Sequence, residues 1–98
     1  MNIKKTLEGT TLTLALEGRL DTTTSPQLET LLNTELDGVN DLVFDFTQLD
    51  YLSSAGLRVL LSAQKRMGSQ GSMKLRNVNS TIKEVFDITG FADFLTIE

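Results

Sequence analysis

The chain has 98 residues, of which 40% are hydrophobic and 22% are charged, which is enough for one globular domain with its own core. Its formal net charge of −4, with basic residues only in isolated pairs such as Lys4-Lys5 and Lys65-Arg66, argues against a nucleic-acid-binding protein. Cysteine and histidine are both absent, which excludes disulfides, thiol nucleophiles, imidazole bases and the usual zinc sites. Because the 13 acidic residues are scattered along the chain, we expect no metal site and no cofactor.

The N-terminal part of the chain carries no targeting signal. No window is as long and apolar as a membrane-spanning helix, and Met1–Thr6 leads into no apolar signal core. We therefore expect a cytoplasmic protein that does not insert into a membrane. A short strand over Asn2–Leu7 is predicted to pair, through a tight turn, with a strand over Thr11–Gly18, where leucines alternate with other residues.

A loop over Asp21–Pro26 precedes the first predicted helix. Its cap is either Ser25, with proline at the first helical position, or Thr24, with Gln27 completing a capping box. Asp37-Gly38 ends this helix. Its leucines fall on one stripe, which is formed by Leu28, Leu31, Leu32 and Leu36.

The second half of the chain continues the alternation of strands and helices. A nearly continuous apolar run predicts a central strand over Asp41–Phe46, and a helix follows to about Met67. Met73–Arg76 is a short strand, and a last helix is capped by Asn79 or Ser80. Phe94–Ile97 is predicted as a closing edge strand. This order predicts a layered α/β domain with helices packed on a mixed sheet.

The most informative segment is Asp50–Leu61, where two hydroxyls and a glycine lie between an extended segment and a helix. Backbone N–H groups at a helix start lack partners, and the macrodipole places positive charge there. A serine at this place therefore either caps the helix or serves as a modification or binding site that accepts a phosphate. Ala55 and Gly56 add no bulk beside Ser53 and Ser54, which favours the close approach of a partner.

Three segments of the chain resemble one protein family. Leu52–Leu57, after the strand Leu42–Phe46, resembles the phosphorylation loop of STAS domains of the anti-sigma factor antagonist type. Leu16–Asp21 resembles the Gly-x-Leu-Asp segment after the family's second strand, and Val78–Phe91 resembles its C-terminal helix. The match spans nearly the whole chain. It implies one STAS domain over residues 1–98, an α/β fold with a mixed sheet of four to five strands and helices packed against it.

The resemblance implies an anti-sigma factor antagonist, a regulator of transcription that is not an enzyme. In that family the unphosphorylated antagonist binds an anti-sigma factor that is also a serine kinase, and a sigma factor is released. Phosphorylation then ends the complex, and a separate serine phosphatase resets the antagonist. Position by position, the phosphorylated residue is Ser54. Ser53 is the alternative, because this chain has serine where the family often has aspartate, and Ala55 where the family often has serine.

The resemblance also implies a docking surface around this loop. We expect it to comprise Asp21, Thr22, Ser53, Ser54, Ala55, Gly56 and Arg58. Alternatively, Asp21 is an ordinary turn residue that bonds its own backbone. Arg58 is badly placed for the helix dipole, which favours contact with a partner or a phosphate. Asp45, at a strand end, either approaches the serines or accepts backbone N–H bonds.

Three other classes of function remain open at the level of sequence. A STAS subunit of a lipid-transport ABC complex would brace its ATPase with the same fold and without phosphotransfer, although the serine at position 54 speaks against it. A sensor-complex STAS module usually has an additional sensory domain. A small nucleotide hydrolase would need a glycine-rich phosphate loop, a suitable base or a metal cluster, and the sequence shows none of them.

Overall fold

A mixed four-stranded sheet forms the centre of the computed structural model, which describes residues 1–98. Its strands are β1 (Asn2–Glu8), β2 (Thr11–Leu20), β3 (Asp41–Leu52) and β4 (Ser72–Arg76), and they lie side by side in this order. β1 is antiparallel to β2, whereas β2 is parallel to β3 and β3 to β4. The predicted α/β fold with a mixed sheet is confirmed, and the sheet has four strands.

Three helices accompany the sheet, namely α1 (Ser25–Glu35), α2 (Ser54–Gly68) and α3 (Ser80–Thr89). α1 joins β2 to β3 and α2 joins β3 to β4, because parallel neighbours need a long crossover connection. α1 and α2 pack against each other as well as against the core. None of the three helices is both long and apolar enough to cross a membrane.

The alternation along β2 decides which side of the sheet is buried. Leu12, Leu14 and Leu16 are fully buried, whereas Thr13 and Ala15 between them are half-buried. The three leucines join one core with the apolar stripes of the helices, which include Leu28, Leu32, Leu57, Leu60, Ile82 and Phe86. Burying each such side chain stabilises the fold by about 1.5–3 kcal/mol. This packing places the carboxyl ends of β2 and β3 side by side at one edge of the sheet.

β3 continues beyond the predicted strand end at Phe46 and reaches Leu52. The hydrophobic run that predicts the strand stops at Phe46, but pairing with β2 resumes after a register shift between Ala15 and Glu17. A shift of this kind re-aims the following side chains without ending the ladder. As a result, β3 delivers the chain directly to the segment that contains the two serines.

α1 begins where the Thr24 alternative predicts, but without the predicted capping box. Thr24 is the N-cap residue, but its side chain makes no capping bond. Its hydroxyl donates to the Arg19 carbonyl at 2.7 Å and accepts from the Asp21 N–H at 2.9 Å. The buried Ser25 hydroxyl donates to the Asp21 carbonyl. These hydroxyls are bound within the loop before the helix and are therefore unavailable as caps.

The C-terminal segment also differs from its prediction. Asn79 caps α3 as expected, by accepting a backbone hydrogen bond at 2.9 Å. The predicted closing strand over Phe94–Ile97 is wrong, because a 3₁₀ turn at Phe91–Asp93 leads into a turn and a bend at Phe94 and Leu95, which leaves no room for an extended ladder. A single parallel bridge between Ile97 and Leu75 is all that extends the sheet there.

Candidate functional site

Two short segments meet where β2 and β3 end. We call Asp21–Ser25 the aspartate loop and Leu52–Gly56 the serine turn. Leu20 and Leu52 are direct partners in the parallel ladder, and the Ser53 N–H donates to the Leu20 carbonyl at 2.9 Å. The structure therefore brings the two segments that resemble family motifs into contact, although they are far apart in the sequence.

Ser53 is the residue that caps α2. Its backbone is extended, its carbonyl accepts the first helical hydrogen bond from Leu57 N at 3.0 Å, and its Oγ accepts from Gly56 N at 3.4 Å. This is the geometry expected of an N-cap serine. The half-buried Ser53 hydroxyl is thus engaged in holding the helix start.

Ser54 is the first residue of α2, and its environment differs from that of Ser53. Its side chain is exposed, and no hydrogen bond within the chain involves its hydroxyl. The N–H groups of Ser54 and Ala55 also lack partners within the chain, as expected for a first helical turn. The turn therefore presents one free hydroxyl beside unpaired donors at the positive end of a helix dipole.

Gly56 lies on the inner side of the serine turn and is buried. A Cβ atom there would stand 2.7 Å from Leu52 Cδ1 and 2.8 Å from Leu20 Cγ. The expectation that Gly56 leaves room for a partner is therefore wrong. Its small size instead lets the first turn of α2 approach the ends of β2 and β3. The half-buried Ala55 is the small residue beside Ser54 that remains partly accessible.

Asp21 organises the aspartate loop through one carboxylate oxygen. Oδ1 accepts three hydrogen bonds, from the N–H and the hydroxyl of Thr23 and from the Thr24 N–H, and the Thr24 hydroxyl, whose proton goes to the Arg19 carbonyl, lies 3.3 Å away. These bonds, above all that from the Thr23 hydroxyl, lower the pKa of Asp21 to about 2. Oδ2 lies 3.5 Å from Arg19 Nε. The interpretation of Asp21 as a turn residue is confirmed, and a docking role stays a prediction.

Thr22 and Arg58 are the two most accessible members of the predicted docking set besides Ser54. Thr22 is exposed at the tip of the aspartate loop, and its hydroxyl bonds to no other group of the chain. Arg58, in the first turn of α2, is exposed and forms no ion pair. Both side chains are therefore available for contacts with another molecule.

Asp45 has a structural environment away from the serine turn. Its carboxylate accepts from the Thr47 hydroxyl at 2.6 Å, from Thr47 N at 3.0 Å and from Asn77 Nδ2 at 3.0 Å. The Thr47 hydroxyl, followed by the Asn77 amide, lowers the pKa of Asp45. Of the two predicted roles, accepting local bonds at a strand is confirmed.

Two further side chains, absent from the predicted docking surface, lie beside the aspartate loop. Arg19 and Tyr51 are paired across β2 and β3, and the Arg19 guanidinium carbon lies 4.1 Å from the centre of the Tyr51 ring. Nothing in the local sequence pattern indicates this pair, because it depends on a second register shift between Gly18 and Arg19. An arginine immediately before the Leu-Asp motif is the one signal that could have drawn attention to it.

The chain offers no pocket of cofactor size. Its one cavity, about 50 Å³, lies between α1 and α2 and is lined equally by apolar residues, such as Leu32 and Val59, and by polar or charged ones, such as Glu29 and Arg66, none of them from the site. No three acidic side chains lie close enough together to hold a metal ion. The candidate site is consequently a surface formed by two loops.

Comparison with known proteins identifies the family. The model for the STAS domain matches residues 2–98. BtrV of Bordetella bronchiseptica, named as a candidate anti-sigma factor antagonist, is 37% identical over 84% of this chain and 72% of its own. The anti-sigma-B factor antagonist of Staphylococcus aureus is 26% identical over 99% of this chain and 92% of its own.

Solved structures agree on the fold. The Bacillus protein SpoIIAA in its phosphorylated form superposes with a TM-score of 0.78 at 20% identity, covering 99% of this chain and 91% of SpoIIAA. Its unphosphorylated form gives a TM-score of 0.79 at the same identity, covering 99% of this chain and 87% of that one. The chain belongs to the STAS domain family, within its group of anti-sigma factor antagonists.

Proposed function

We propose that this chain is the antagonist in a partner switch that controls a sigma factor. In its unphosphorylated form it binds a kinase-type anti-sigma factor and releases the sigma factor, and phosphorylation of Ser54 ends this binding. The observation that carries the proposal is the free Ser54 hydroxyl, exposed at the first position of α2. The Staphylococcus aureus relative is named as an antagonist, and SpoIIAA has been solved in both phosphorylation states, which supports the proposal.

The choice of Ser54 over Ser53 follows from their different bonding. The Ser53 hydroxyl accepts from Gly56 N, so a phosphate on it would disturb the cap of α2. The Ser54 hydroxyl forms no hydrogen bond within the chain. A kinase could therefore reach it without first breaking an interaction that holds the fold together.

The reaction requires chemistry that this chain does not supply. No side chain of the chain bonds to the Ser54 hydroxyl to activate it. The kinase therefore brings ATP, magnesium and the base. Ser54 Oγ attacks the γ-phosphorus, its proton passes to the kinase, and ADP leaves. A phosphatase later uses water to break the Oγ–P bond. We thus assign no catalysis to this chain and expect it in the cytoplasm, where ATP and sigma factors are found.

The phosphate acts on the interface rather than on the fold. It adds a charge of about −1.5 to −2 and three strong acceptor oxygens. The unpaired N–H groups of Ser54 and Ala55 and the dipole of α2 favour such an anion. A partner surface fitted to a neutral hydroxyl, in contrast, meets excess bulk and uncompensated charge, which costs several kcal/mol, roughly a hundredfold or more in affinity.

The proposed docking surface is the exposed rim of the two loops. It comprises Asp21, Thr22, Ser53, Ser54, Ala55 and Arg58, with Gly56 as an internal spacer. Thr22 and Arg58 have no partner within the chain and so lose none on binding. Asp21 is the exception, because its Oδ1 is already saturated and only Oδ2 could face a partner.

The test is phosphorylation by the kinase-type anti-sigma factor of the same genome, followed by mass spectrometry. Wild type and Ser53→Ala should accept one phosphate, whereas Ser54→Ala should accept none and still bind the kinase. Ser54→Asp should bind weakly. Phosphate on Ser53 or on a threonine of the aspartate loop would refute the assignment. Stable binding to a membrane permease and its ATPase, without phosphorylation, would support the transport subunit instead.

A further inference from the structure

We propose that Arg19, held on the ring of Tyr51, is a specificity determinant that binds an acidic side chain of the anti-sigma factor. This inference rests on the proposed function and deepens it. It adds to the docking surface two residues that lie outside the motifs of the serine turn and the aspartate loop.

The Arg19 guanidinium is held from two sides. Its carbon lies 4.1 Å from the centre of the Tyr51 ring, and its Nε lies 3.5 Å from Asp21 Oδ2. Stacking on an aromatic ring and a nearby carboxylate restrict a long side chain that would otherwise sample many rotamers. The cation is therefore oriented before a partner arrives, which reduces the entropy lost on binding.

The donors of Arg19 are largely unused. The Nε to Asp21 distance is that of an ion pair, and no group of the chain accepts a hydrogen bond from the guanidinium. The Arg19 side chain is 61% exposed. Because a guanidinium presents several N–H groups in a planar fork, its outer edge matches a carboxylate with two parallel hydrogen bonds.

The position of the pair connects it to the proposed interface. Arg19 and Tyr51 are the residues just before Leu20 and Leu52, whose backbones lead into the aspartate loop and the serine turn. We expect a kinase that encloses the Ser54 hydroxyl to extend over this edge of the sheet, because Tyr51 precedes Ser54 by only three residues. The exposed pair is thus continuous with the surface that the kinase must touch.

The charge and the residue types of the Arg19–Tyr51 pair favour binding of an acidic side chain of a partner protein. The chain as a whole carries a net charge of −4, and Asp21 and Asp50 lie beside Arg19 and Tyr51, yet the exposed outer edge of Arg19 and the unpaired Arg58 are cations that an acidic partner residue can reach. Arginine and tyrosine are the residue types over-represented among the side chains that dominate protein interfaces. An acidic partner residue would give this edge a specific attraction that the rest of the acidic surface does not offer.

The experiment compares binding of the anti-sigma factor kinase to four variants of the pair and one control variant by titration calorimetry. Arg19→Ala and Tyr51→Ala should each weaken binding by about tenfold, and Arg19→Lys, which keeps charge but loses the fork, by less. Tyr51→Phe keeps the ring and should bind like wild type. Lys83→Ala, an exposed cation of α3 without an ion pair, is the matched control and should change nothing.

Two further readouts separate docking from a structural role. The melting temperature of Arg19→Ala should stay within a degree or two of wild type, since the side chain is exposed, and its binding should depend less on salt. Wild-type affinity and phosphorylation in Arg19→Ala would overturn the inference, as would an effect confined to the phosphorylated protein. If wild type itself neither binds the kinase nor is phosphorylated by it, the proposed function fails and the inference falls with it.

Discussion

The aspartate loop and the serine turn end neighbouring parallel strands, yet different forces hold them in place. The aspartate loop is tied by hydrogen bonds from the Thr23 hydroxyl to Asp21 Oδ1 and from the Thr24 hydroxyl to the Arg19 carbonyl. The serine turn is held by close packing of Gly56 on Leu20 and Leu52 and by a single cap. The aspartate loop engages every hydroxyl except that of the exposed Thr22, whereas the serine turn, held by packing, leaves the Ser54 hydroxyl free at the start of a helix.

The largest expected effect comes from disturbing the packing beneath the serine turn. Gly56→Ala would place a methyl group 2.7 Å from Leu52 Cδ1 and should lower the free energy of unfolding by about 1–3 kcal/mol. Chemical denaturation measures this. Gly68→Ala, at the exposed end of α2 with open space around it, is the control and should be neutral or slightly stabilising. Equal changes in the free energy of unfolding for the two variants would mean that packing of Gly56 does not position the serine turn.

A smaller effect should distinguish the two serines. Ser53→Ala removes the cap of α2 and should cost about 1 kcal/mol of unfolding free energy. Ser54→Ala removes an exposed hydroxyl without partners and should stay within about 0.5 kcal/mol of wild type. Thermal melts of both variants measure the difference. A larger loss in Ser54→Ala than in Ser53→Ala would reverse the assignment of cap and acceptor.

The hydrogen bonds of the aspartate loop should appear as an acid sensitivity. The pKa of Asp21 is lowered from 3.8 to about 2 in the folded chain, so the unfolded chain takes up its proton first. The stabilisation is complete above about pH 4 and is lost as the pH falls towards 2. The difference between the melting temperatures at pH 6 and pH 2.5 should be smaller for Asp21→Asn than for wild type. An unchanged pH dependence would show that the carboxylate does not hold the loop.

The smallest expected effect is that of phosphorylation on stability. A phosphate on Ser54 faces the N-terminus of α2, which should stabilise the fold by about 0.3–1 kcal/mol. Amide NMR shifts should change only around Ser53–Arg58 and in the aspartate loop. Shifts that spread through Leu12–Leu16 and Leu42–Phe46 would instead indicate a rearranged core, and the switch would then be conformational.

Periodicity in the sequence predicts most of the elements of this fold. The alternating leucines of β2 and the leucine stripe of α1 each identify an element and its buried face, because both periods are local properties of the chain. The end of β3 at Leu52 was missed, since its last residues pair only after a register shift. The 3₁₀ turn at Phe91–Asp93 was missed because short apolar segments fit several structures.

In the candidate site, too, local motifs are predictable from the sequence, whereas contacts between distant residues are not. Resemblance to the family predicts the two loops and the importance of Ser54, because those residues form short contiguous motifs. The local pattern could not decide which serine caps α2, that Gly56 faces inward, or that Asp21 Oδ1 is saturated. Each of these depends on the orientation of one side chain relative to residues brought close by the sheet.

The sequence by itself determined the elements, the α/β class and the family, since these depend on spacing along the chain. Only the tertiary structure decided which hydroxyl is free and which is bound, because that depends on how α2 begins at the end of β3. It also brought Arg19 onto the Tyr51 ring across two strands. Contacts of this kind depend on register and crossover geometry, which the core fixes only when the whole chain packs together.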